Sequence, residues 1–122
     1  MTPGLRDHFK DGVDLFNAGR FFECHEAWEQ VWLRSPEPEK TTIQGLIQAA
    51  VAILHMERGN RAGAASLGAK AMEKLARAPA DFGGIDMDHL RGTLGRFFSA
   101  ALDTPGPIPP NRPRIRMVAE TD

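Results

Sequence analysis

The chain has 122 residues, 42% of them hydrophobic, and 15 Lys and Arg against 16 Asp and Glu, a formal net charge of -1. That length holds one domain and no second core, and so even a charge balance argues against a phosphate-backbone partner, so no nucleic acid is expected. The single cysteine, Cys24, excludes an internal disulfide framework and fits a reducing compartment.

Positions 1–10 lack the basic-then-apolar pattern of a secretory signal. No apolar run approaches the ~20 residues of a membrane span. No membrane partner is expected, and a cytoplasmic location is.

Prolines and glycines divide the chain into five predicted helices. The first covers 5–18, with Leu5, Phe9, Val13 and Phe16 on one stripe and Gly19 as its stop. The second covers 21–34 and must end before Ser35-Pro36. The third runs from about Pro38 to Arg58, followed by Gly59 as stop and Asn60 as N-cap. The fourth covers 61–78, with Ala64, Leu67, Ala71 and Leu75 on one side. The fifth starts after Gly83-Gly84 with Asp86 as N-cap, and Leu90, Leu94, Phe97 and Ala101 form its inner face. Period-two alternation is missing, so the expected fold is all-α: a compact bundle of about five helices built on two helical hairpins. The bundle is expected over 4–103. A proline-rich tail over 104–122 runs extended, where Ile115, Met117 and Val118 could pin it to the body. A homodimer would give so small a bundle extra burial.

Two predicted helices carry polar residues in apolar surroundings. On the second, with His25 at zero, Trp32 falls at about -20°, Glu29 at about +40°, Phe21 at about -40°, Trp28 at about -60° and Phe22 at about +60°. This most aromatic face is expected to turn inward with His25 and Glu29 at its middle, and Glu26 nearer the edge. The third helix is apolar nearly all round, which places it centrally. Its Gln44, Gln48 and His55 nevertheless fall on one line, within about 40°. Burying such groups without partners is costly. The two lines are therefore expected to meet as a buried cluster of His25, Glu29, Gln44, Gln48 and His55, with the Trp32 indole at its edge.

The order of residues is also familiar. His25-Glu26-Ala27-Trp28-Glu29-Gln30-Val31-Trp32 contains His-x-x-x-Glu-x-x-Trp, preceded by 16–23 and followed by Gln44-Gly45-Leu46-Ile47-Gln48, His55, Gly59-Asn60 and Gly63-Ala64. Over roughly 9–75 this resembles a prokaryotic all-helical domain-of-unknown-function family marked by an HxxxExxW motif. The resemblance implies a small helical bundle with His25, Glu29 and Trp32 as motif positions. It implies no activity.

Three functions follow from the cluster. His25, Glu29 and His55 would make a two-imidazole, one-carboxylate set for a divalent metal, zinc or ferrous iron. However, HExxH is missing, and so is any Glu-x-x-His pair. A His beside a Glu in an apolar pocket could instead act as a metal-free acid–base pair, His25 and Glu29 being the candidate catalytic residues and Trp32, Gln44, Gln48 and His55 binding a small molecule. The leading expectation is a structural or protein-interaction module. In it the cluster fixes helix register and the surface does the work.

Overall fold

The computed structural model describes residues 1–103, 106 and 111–118. Among them are five α-helices: α1 (Pro3–Asn17), α2 (Phe21–Trp32), α3 (Glu39–Glu57), α4 (Arg61–Leu75) and α5 (Met87–Asp103), with a 3₁₀ turn over Phe82–Gly84 before the last. No strand is present among the described residues, and the all-α expectation holds. The expected tail positions 104, 105, 107–110 and 119–122 lie outside the described residues.

Each helix end has a local cause. Thr2 accepts the Leu5 N–H at the start of α1, and Pro3 sits where no N–H is needed. Two turns of one design close the hairpins. Gly19 has φ +76° and Gly59 φ +79°. Around them Arg20 N–H reaches the Leu15 carbonyl and Asn60 N–H the His55 carbonyl, each five residues back. These are Schellman closures, which favour glycine because it tolerates positive φ. The second helix stops at Trp32, two residues before the expected end. Ser35 Oγ donates to the Val31 carbonyl at 2.7 Å and takes up one of the last orphan acceptors. At the start of α3 the Glu37 carboxylate accepts from both N–H and Oγ1 of Thr41.

Sequential helices are neighbours, α1 on α2, α2 on α3, α3 on α4 and α4 on α5, with the broadest interface between α3 and α4. Small residues allow that closeness: Gly45, Ala49 and Ala52 of α3 are buried, as are Ala64 and Ala71 of α4. A Cβ at Gly45 would lie 3.0 Å from the Lys74 side chain. The α1–α2 contact is aromatic. Phe16 meets Phe21 edge-on at 5.2 Å, and Trp28 lies 6.0 Å from Phe16 and 6.1 Å from Phe9.

Arginines tie the ends of α4 and α5. Arg61 donates to the Ala101 and Leu102 carbonyls, and Arg91 to the Leu75 carbonyl at 2.7 Å. Each guanidinium sits at a helix C-terminus, where cations are favoured. The described tail residues cross back over the first hairpin. Ile115 is buried, Met117 half-buried and Val118 exposed, so only Ile115 of the three acts as a full anchor.

Candidate functional site

The second helix turns inward on Phe21, Cys24, Trp28 and Val31, all within 1% of fully buried. The centre of that face lies about 80° from His25 on the helical wheel. The buried-cluster expectation is therefore corrected. His25 is 26% exposed and Glu29 49% exposed, on the flank and not in the core. The physical reason is Trp28. Its indole fills the notch left by Gly12 on α1, where a Cβ would fall 2.2 Å from Nε1, and Nε1 donates to the Phe9 carbonyl at 3.1 Å. That contact, with small Cys24 and Val31 beside it, sets the rotation of the helix. Counting aromatic rings alone misplaces it, because Phe22 is 49% exposed.

His25 Nε2 and Glu29 Oε1 stand 2.8 Å apart, one turn along the helix. The ring of Phe22 lies 6.1 Å from that of His25. Trp32 is half-buried, and the Lys40 ammonium sits 4.2 Å from the centre of its ring, a cation–π contact. Lys40 falls about 40° from Gln44 on the wheel of α3. The α2 flank and the Gln44–Gln48 side of α3 therefore border one seam. The Trp32 Nε1 donor and the Gln48 Oε1 acceptor are buried with no hydrogen-bond partner among the described residues. Gln44 is half-buried. The register-fixing network expected from the sequence is thus not formed as a closed set.

His55 does not join His25. It belongs to the turn at the end of α3, where its Nδ1 lies 3.2 Å from Asn60 Nδ2. With Lys40 opposite Trp32 and a rise of 1.5 Å per residue, His25 is level with about residue 47, and His55 lies about 12 Å further along. Among the described residues no three His, Cys, Asp or Glu side chains come together as a metal site. The expected set of His25, Glu29 and His55 is corrected accordingly. Its reason is axial offset, which a wheel projection cannot display.

Opposite the buried side, α2 carries an outward stripe in which Leu33 joins three residues already placed on the wheel. Phe22, Glu26, Glu29 and Leu33 fall within about 60° of one another and form a straight outward stripe. All four are exposed, Leu33 at 62%. Phe22 and Leu33 are two of only four large exposed apolar residues among the described residues. The signal was available in Cys24 and Val31, whose burial opposes this stripe.

Cys24 lies wholly in the core. Burial pushes its thiol far above the usual range, with a weaker opposing effect from a hydrogen bond to the Phe16 backbone. It has no place in the site.

Residues 9–67 match the model of a family described as Domain of unknown function (DUF309). The chain is 34% identical over 86 residues to an uncharacterized protein of Aquifex aeolicus (strain VF5), covering 70% of this chain and 26% of that protein. It is 42% identical over 81 residues to the uncharacterized protein YpuF of Bacillus subtilis (strain 168), covering 62% of this chain and 45% of that protein. The chain thus spans less than half the length of either relative. Over 9–67 its similarity is to a prokaryotic domain of unknown function.

Proposed function

We propose that this chain, a relative of the DUF309 domain over 9–67, is a protein-interaction module whose docking surface is the outward stripe of α2. The observation that carries the reading is the exposure of Phe22 and Leu33 at the two ends of a stripe whose middle is Glu26 and Glu29. Exposed aromatic and aliphatic side chains that frame charge are the composition of a recognition patch. Eleven residues separate the two anchors, so they stand about 16 Å apart along the helix. That span suits an amphipathic partner helix laid along α2, with apolar anchors about three turns apart and Lys or Arg between them. His25 contributes by holding the Glu29 carboxylate in place at 2.8 Å. The Trp32 donor and Gln48 acceptor have no partner among the described residues, where a purely structural network would be expected to have satisfied both.

A helical-peptide display library selected on the folded chain tests this. Enrichment of peptides with basic residues between two apolar anchors is expected. Binding should be lost in Phe22→Ala/Leu33→Ala and in Glu26→Lys/Glu29→Lys. Enrichment that ignores both double variants, or none at all, overturns the reading.

A further inference from the structure

A cavity lies away from α2. It has a volume of about 600 Å³ and is lined by the first half of α1, the start of α3, the 3₁₀ turn and Met117. That volume falls within the range of small-molecule sites, about 300–1,000 Å³. Its apolar lining is Met1, Phe9, Phe82 and Met117, with Phe9 and Phe82 meeting edge-on at 5.9 Å. Gly83 keeps the ring of Phe9 in place: its φ is +60°, and a Cβ there would lie 2.5 Å from that ring.

Two opposite charges line the same cavity. Arg6 comes from α1 and Glu39 from the first turn of α3. Neither takes part in an ion pair among the described residues, with each other or with any third group. Of the other polar groups at the cavity, Lys10 is held by Asp14 at 2.7 Å, and Met1 brings its backbone amine to the rim. An unpaired cation and an unpaired anion over an apolar lining match a ligand that carries both charges on an apolar body.

We propose that this cavity binds a short apolar peptide with free termini, Arg6 taking its carboxylate, Glu39 its ammonium, and Phe9, Phe82 and Met117 its side chains. The sizes agree. A cavity of 600 Å³ is about 10 Å across, and the termini of an extended dipeptide stand about 7 Å apart. The site shares no residue with the α2 stripe, so its failure and that of the docking surface are separate events.

The test uses the dipeptide Leu-Phe, its N-acetylated form and its C-terminal amide, with calorimetry and amide NMR on the whole chain. Saturable binding of Leu-Phe is expected, with shifts at Phe82, Gly83 and Gly84 and none at the α2 stripe. Blocking either terminus should weaken binding about tenfold, the weight of one charge-assisted contact. In Glu39→Gln, acetylation should no longer matter; in Arg6→Gln, amidation should no longer matter. Arg6 is exposed and Glu39 half-buried, so both variants should fold, which their spectra check. Absence of saturable binding at millimolar Leu-Phe overturns the proposal. So does a wild-type ranking of the three peptides in both variants, or shifts confined to α2.

Discussion

Asn17 grips the backbone of Ile115 from both sides. Its Nδ2 donates to the Ile115 carbonyl at 2.9 Å, and the Ile115 N–H donates to its Oδ1 at 2.8 Å. One amide side chain at the end of α1 thus takes the place of a strand partner at Ile115, two residues before the antiparallel bridge of Met117 with Ile85. Nearby, Arg112 pairs with Glu57 at 2.9 Å and lies 5.9 Å from the centre of the Phe21 ring. Two of the three tail arginines, Arg112 and Arg116, therefore serve the chain's own fold.

Asn17→Ala leaves two part-buried backbone groups without their partner. A loss of about 1–3 kcal/mol is expected. Urea unfolding should show it. Hydrogen exchange should show the Ile115 amide losing protection while the amides of α3 keep theirs.

Asp86 caps α5 through the His89 N–H at 3.0 Å and pairs with Arg116 at 2.8 Å. The Arg116 hydrogen bond, then the His89 N–H, hold its carboxyl below the usual range. Its folded-state value is depressed, so its contribution is present above the unfolded-state value of about 3.9 and fades as pH falls through the lower folded value. The stability difference between the native chain and Asp86→Asn should be constant near neutrality and shrink below about pH 4. Melting curves across that window check it.

Two glycines of α1 should respond with opposite signs. Gly4 has nothing within 4 Å of a Cβ, so Gly4→Ala should stabilise by about 0.5–1 kcal/mol. A Cβ at Gly12 would fall 2.2 Å from the Trp28 indole, so Gly12→Ala should destabilise by about 1–3 kcal/mol despite the same gain in helix propensity. Denaturant midpoints of the two variants decide this.

The His25–Glu29 pair sits on a flank half open to water. Exposed pairs one turn apart contribute little, about 0.3–0.5 kcal/mol. His25→Ala and Glu29→Gln should therefore melt within a few degrees of the native chain, where a sealed polar cluster would cost several times more. A large drop in either melting temperature would contradict the placement.

Cys24 should resist thiol reagents in the folded chain, because it is buried and its thiol is held protonated. Labelling with a chromogenic disulfide should follow the unfolding transition in urea. Rapid labelling without denaturant would be inconsistent with this core.

Local chemistry in the sequence was enough to place the five helices. Gly19 and Gly59 mark turns that need positive φ, and Asn60 and Asp86 offer side-chain caps where the structure has them. It also determined which residues share a line, since wheel angles depend only on spacing. The line that faces inward was a different matter. Rotation of α2 was decided by Trp28 entering the Gly12 notch, a contact between residues sixteen apart whose consequence is an exposed, rather than buried, Glu29. Axial register decided the fate of His55, because angles carry no height. The grip of Asn17 on Ile115 joins residues 98 apart. No periodicity reports such a pair: it exists only once the bundle has brought the two segments together.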